Sequence, residues 1–138
     1  IIDANFNRAK EGLRVCEEVA RFVLNSAPLT KAIKDIRHNI SSIIKDISRK
    51  DIKILSKARD VKGDMGKVSR FKTEMKRSDC ADIFYANIER VKESLRVLEE
   101  FFKLMDDKAS TKFSRLRFKV YDIEKRSIKK IAALRNIR

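Results

Sequence analysis

Two short runs carry the side chains best suited to holding an anion. Residues 4–18 read Ala-Asn-Phe-Asn-Arg-Ala-Lys-Glu-Gly-Leu-Arg-Val-Cys-Glu-Glu, and residues 86–100 read Ala-Asn-Ile-Glu-Arg-Val-Lys-Glu-Ser-Leu-Arg-Val-Leu-Glu-Glu. They agree at ten of fifteen positions, without a gap, at an offset of 82. Shared helix composition does not produce that much identity, so the runs point to duplication or to one site used twice. Each copy carries an Asn and, three residues on, an Arg: Asn5 and Arg8, then Asn87 and Arg90. At about 100° per residue, the first pair falls in the arc of Ala9, Leu13, Cys16, Val19 and Val23. The second falls beside Val91, Leu95, Leu98 and Phe101. A guanidinium held against a core needs a carboxylate or a bound anion, because a buried unpaired charge is strongly unfavourable. Glu11 and Glu93, at the edge of the arc, are the expected partners. Gly12 and Ser94 leave room for a backbone or a ligand to approach. One copy alone would read as a polar network fixing helix register. Two copies in a strongly basic chain point to an anion site between two helices.

A second set of candidates lies in the middle of the chain. Arg59, Asp60 and Asp64 fall in Ala58-Arg59-Asp60-Val61-Lys62-Gly63-Asp64-Met65-Gly66. Two carboxylates beside arginines supply what Mg²⁺-assisted phosphoryl transfer requires, oxygen ligands for a metal and positive charge for a phosphate. An ordinary solvated loop has the same composition, since Asp and Gly are common turn residues. Neither GxxxxGK[ST] nor GxGxxG occurs, which excludes the standard nucleotide-binding loops. His38, the only histidine, follows Arg37; a surface or hydrogen-bonded structural role is its default. Tyr121 shares a helix face with Arg117, and core packing is its default.

The elements that must position these residues are helical. A chain of 138 residues suits a single domain with a real core. Three Gly and one Pro are too few for the turns of a sandwich or barrel. Periodicity predicts a helix over residues 3–24 with Asp3 as N-cap, and a second over 29–49 entered through Pro28. A third follows Asp82 to about Met105. A fourth begins after Asp106-Asp107 and takes in Phe113, Leu116, Val120, Ile123, Ile128, Ile131 and Leu134. The reading is all-α: a bundle of about four long helices with an internal pseudo-repeat, a structured central loop and a basic C-terminal tail from about residue 125. The formal charge of +14 and pI near 10.0 favour anionic ligands of some kind. Cys16 and Cys80 are isolated thiols, expected to stay reduced in a cytoplasmic protein. No run approaches transmembrane length. A start at Ile1 suggests a trimmed product or a domain of something longer.

The run Ile1 to Val15 closely resembles a short family of hydroxymethylpyrimidine-phosphate kinases of thiamine biosynthesis. The resemblance continues through Arg37-His38, Ala58-Arg59-Asp60 with Asp64-Met65-Gly66, residues 86–100, and Arg117 to Tyr121. It covers nearly the whole chain in the expected order. Departures are Cys16 where Leu is usual, Met65 for Val and Phe118 for Tyr; none removes a charged motif residue. The resemblance implies one helical kinase domain over 1–138, using ATP and Mg²⁺ to convert 4-amino-5-hydroxymethyl-2-methylpyrimidine phosphate to its diphosphate. Arg8, Arg59 and Arg90 would then be catalytic, by neutralising phosphate. Asn5, Asn87, Arg37, His38, Glu11, Glu93 and Tyr121 would bind substrate, and Asp60 and Asp64 would hold Mg²⁺. The family occurs alone or fused ahead of thiamine-phosphate synthase, so that synthase is an expected partner. A homodimer is a further way to complete the site. Two competing readings are a non-catalytic partner domain of the synthase and a basic nucleic-acid-binding module. The second is disfavoured, because no arginine-rich run or aromatic–basic interleaving forms a stacking surface.

Overall fold

The protein is described by a computed structural model that covers residues 1–50 and 76–135. All regular structure among these residues is helical. The first helix, α1, spans Ile2–Glu18 and continues as a π-helical turn over Val19–Val23. Ile1 is its N-cap; Asp3, expected there, lies in the first turn, where its charge complements the helix dipole. The π turn is closed by the Leu24 amide donating to the Val19 carbonyl at 2.9 Å. A π turn holds more residues than an α turn, so it rotates the later side chains about the helix axis. Val19 and Ala20 remain buried, whereas Phe22 and Val23 turn outward, which is why Val23 misses the arc assigned to it.

Asn25, with φ of 49°, takes the left-handed conformation that Asn tolerates and reverses the chain. Ser26 then accepts from the Leu29 amide at 3.4 Å and opens α2, Ala27–Lys50. Pro28 sits in that first turn, where its missing N–H is not needed. Asp79 caps α3, Cys80–Phe102, accepting from the Asp82 amide at 2.8 Å, while Asp82 accepts in return from the Ser78 amide. Asp106 accepts from the Lys108 and Ala109 amides to start α4, Asp107–Arg135. The stretch expected as a basic tail is helical to Arg135.

Helix α1 packs on α2 and α3, and α4 packs on α3 and α2. The Cys16 thiol donates to the Phe84 carbonyl at 3.6 Å, while Gly12 abuts Asn87 and Val91, so α1 and α3 are antiparallel. Pairing of Glu99 with Arg117 and of Lys92 with Glu124 makes α3 and α4 antiparallel as well. The end of α2 and the start of α3 therefore lie at opposite ends of the bundle. The core fills with Leu13, Ile33, Ile40, Phe84, Ile88, Leu95, Phe113 and Ile123, with Phe102 stacked on Phe113 at 5.3 Å. Each such side chain contributes roughly 1.5–3 kcal/mol by leaving water. Ile128, expected in this core, is half exposed.

Candidate functional site

The two repeat copies cross at their small residues. A Cβ on Gly12 would lie 2.8 Å from Val91 Cγ2 and 3.0 Å from the Asn87 carbonyl oxygen, so the backbones meet there as only glycine permits. Ser94, at the equivalent place in α3, is buried. Because the copies run antiparallel about this crossing, an approximate two-fold relates α1–α2 to α3–α4. Polar contacts obey the same symmetry. The Asn5 side-chain amide donates to the Ile1 carbonyl at 2.9 Å, and that of Asn87 to the Ile83 carbonyl at 2.8 Å. Neither amide oxygen accepts a hydrogen bond within the described residues, and neither is a buried orphan.

The arginines divide into two sets. In the first, Arg37 Nε donates to Glu17 Oε2 and Arg117 Nε to Glu99 Oε2, both at 3.0 Å. Glu17 and Glu99 are only 4% and 7% exposed and also take Arg14 and Arg96 from their own helices at 3.7 Å. Two cations on one buried carboxylate, repeated in both halves, tie each helix pair together. Burial would lower the Arg117 pKa, but hydrogen bonds to Glu99 and Tyr121 outweigh it and raise it above the ordinary value. On a helical wheel Glu17 and Glu99 fall at the edge of the polar side, where pairing within their own helix is the simplest expectation. The missed signal is that each stands four residues beyond a core leucine, Leu13 or Leu95, and so beside the core.

The second set is Arg8 and Arg90. Both are exposed, not buried, and neither forms an ion pair among the described residues. Each stands one turn before the small residue of its crossing, a step past the buried arc, where a long side chain reaches solvent. Glu11 and Glu93, their expected partners, are also exposed and unpaired there. The anion-binding requirement argued from burial therefore falls away. In its place stand two free guanidinium groups flanking one crossing.

The remaining expected residues are dispersed. His38 is exposed on α2, one residue from the engaged Arg37. Tyr121 is 44% exposed rather than in the core, with Lys92 Nζ 5.0 Å from its ring centre and the Arg117 guanidinium at 5.9 Å. Lys92, also missed in sequence, bridges Glu89 and Glu124. Burial would lower its pKa, but those two carboxylates outweigh it and raise it. Burial pushes the Cys16 thiol up to about 12, leaving it inert, whereas Cys80 is exposed. Arg59, Asp60 and Asp64 lie outside the described residues. Among the described residues, no cluster of three or more His, Cys, Asp or Glu suits a metal, and no helix is long and apolar enough to cross a membrane.

Two clefts lie away from the crossing. One, of about 380 Å³, separates the end of α2 from the start of α4 beside Ile43, Asp46, Arg49, Asp106 and Lys112. Another, of about 470 Å³, sits at the α1–α2 turn beside Arg21, Asn25, Thr30 and Lys31. Asp106 is engaged as a helix cap and Lys31 is held by Asp35 at 2.7 Å, and neither cleft is lined by a residue of the repeated Asn–Arg pairs.

Fold and site together define an all-helical domain of two sequence-related hairpins, with a repeated Asn–Arg pair at their shared crossing. The chain belongs to the ThiD2 family, whose model matches residues 1–126. It is similar to a thiamine-phosphate synthase of Synechocystis sp., 39% identical over 124 residues, covering 90% of this chain and 34% of that protein. Similar matches are thiamine-phosphate synthases of Rhodopirellula baltica, at 36% identity over 88% of this chain and 32% of the relative, and Nostoc punctiforme, at 37% over 90% and 33%. The chain thus spans about a third of the length of these curated relatives. No solved structure matches it.

Proposed function

We propose that this domain is a hydroxymethylpyrimidine-phosphate kinase of thiamine biosynthesis. It would transfer the γ-phosphoryl group of ATP to a phosphate oxygen of 4-amino-5-hydroxymethyl-2-methylpyrimidine phosphate. The observation that carries this reading is the doubled Asn–Arg pair, whose guanidinium groups form no ion pair among the described residues while Arg14 and Arg96 of the same repeat are engaged. In the step, an acceptor phosphate oxygen attacks the γ-phosphorus, the bond from that phosphorus to the β–γ bridging oxygen breaks, and ADP leaves with the electron pair. The attacking oxygen is ionised at neutral pH, so no strong general base is needed. Catalysis is then alignment plus neutralisation of charge, which Arg8 and Arg90 supply. The amide oxygens of Asn5, a buried residue, and of the half-buried Asn87 are acceptors of the kind that suits amino groups on a pyrimidine or purine ring. Mg²⁺ would screen the nucleotide phosphates. The described residues offer it no ligand set, and Asp60 and Asp64 are its candidates on sequence grounds alone.

The test is Mg²⁺-dependent formation of ADP and the pyrimidine diphosphate from ATP and the pyrimidine phosphate. Folded protein that makes no diphosphate, with other nucleoside triphosphates also tried, would overturn the reading. A second reading, a non-catalytic partner of thiamine-phosphate synthase, draws on relatives about three times longer that carry that name. Tight binding to the synthase by a chain without kinase turnover would favour it.

A further inference from the structure

The approximate two-fold bears on how the phosphates are held. Gly12 of α1 is level with Asn87 and Val91 of α3, and Arg90 lies between those two residues in sequence. By the two-fold, Arg8 is level with Ser94. Arg8 and Arg90 are therefore separated along the bundle by only four residues of helix, roughly 6 Å. Each stands one turn before its crossing residue, Gly12 or Ser94, so both flank the same α1–α3 seam from opposite helices. Both are exposed and form no ion pair among the described residues, so none there must break for an anion to bind.

Two exposed guanidinium groups offset by only about one helical turn along the seam suit two adjacent phosphates better than two remote ligands. We infer that Arg8 and Arg90 each hold one of two neighbouring phosphate groups, so that the local two-fold passes between them and a diphosphate spans the seam. This deepens the kinase reading and rests on it. The reaction brings an acceptor phosphate against the γ-phosphate and ends with both in one diphosphate. A pseudo-symmetric pair of guanidinium groups suits both sides of that step and its product.

Calorimetric titration with inorganic pyrophosphate and, separately, orthophosphate tests this without turnover. Pyrophosphate is expected to bind once per chain and more tightly than orthophosphate. Arg8→Gln and Arg90→Gln are each expected to weaken it by about tenfold or more, the loss of one charge-assisted hydrogen bond pair. Circular dichroism and melting temperature should stay unchanged, because both side chains are exposed. Pyrophosphate binding that depends on one arginine only, or on neither, would overturn the inference. Symmetric dependence in a chain without kinase turnover would leave the inference standing and remove the kinase reading. Turnover with asymmetric dependence would do the reverse.

Discussion

Arg37 and Arg117 on one side, and Arg8 and Arg90 on the other, are the same residue type put to opposite uses. The first two donate into carboxylates that are nearly sealed from water, one in each half of the molecule. The second two sit on the repeated helices themselves, exposed and without an ion pair among the described residues. A cation locked to a buried carboxylate fixes helix packing but has little left to offer a ligand. A free cation adds nothing to folding and remains available. The repeat carries the buried carboxylate of the first device and the arginine of the second, so each half of the molecule holds one paired and one exposed arginine.

The comparison breaks most visibly through the buried carboxylates. Glu99→Ala and Glu17→Ala each leave an arginine on the core edge without its counter-charge. Loss of a fully buried partner costs about 3–5 kcal/mol. Because Arg117 and Arg37 retain 14% and 20% side-chain exposure, a smaller loss is expected. Urea titration should find about 2–4 kcal/mol for each, a discounted figure for partly solvated pairs.

Gly12→Ala is next in size. The new methyl would meet the Asn87 carbonyl and Val91, and the backbone oxygen cannot yield as a side-chain end can. Overpacking of this kind should destabilise by about 1–3 kcal/mol. Ser94→Ala, in the equivalent place but already carrying a Cβ, should do less. Thermal melts of the two variants together check that asymmetry.

The smallest effects are expected with pH. The folded pKa values of Lys92 and Cys16 are both raised, the latter to about 12. Stability from such groups is complete below their unfolded values, about 8.5 for a thiol and 10.4 for a lysine, and is lost as pH rises through the folded values. Stability should therefore decline on the alkaline side, with Lys92→Met flattening the upper part of the decline. At neutral pH a thiol reagent should find one reactive cysteine, Cys80, in native protein and two after unfolding.

Much of the fold was legible in the sequence because 3.6-residue periodicity marks the helices, and Pro28 and Asp106 mark two of their starts, whereas Asp3 and Asp82 lie inside first turns that Ile1 and Asp79 cap. Four long helices and their order can be read from these signals. Burial at the arc's edge was not legible. A helical wheel places Arg8 and Glu17 at opposite margins of one stripe and cannot say which margin a neighbouring helix covers. Helix α2 covers the margin of Glu17, and the margin of Arg8 stays open. The π turn was equally invisible, since Val19 to Val23 read as continuous helix, and it is what exposes Val23. Tyr121 was misplaced because ring size suggests core, whereas flanking cations hold it at the surface.

The central claim is that the free arginines serve a ligand and the paired ones serve the fold. Parallel measurement of unfolding free energy and of pyrimidine-diphosphate formation in Arg8→Ala and Arg90→Ala tests it most directly. Each variant should keep its stability within about 0.5 kcal/mol of the parent, as for surface substitutions, and lose turnover by roughly a hundredfold. Loss of stability by as much as Glu17→Ala or Glu99→Ala, or turnover equal to the parent, would contradict it.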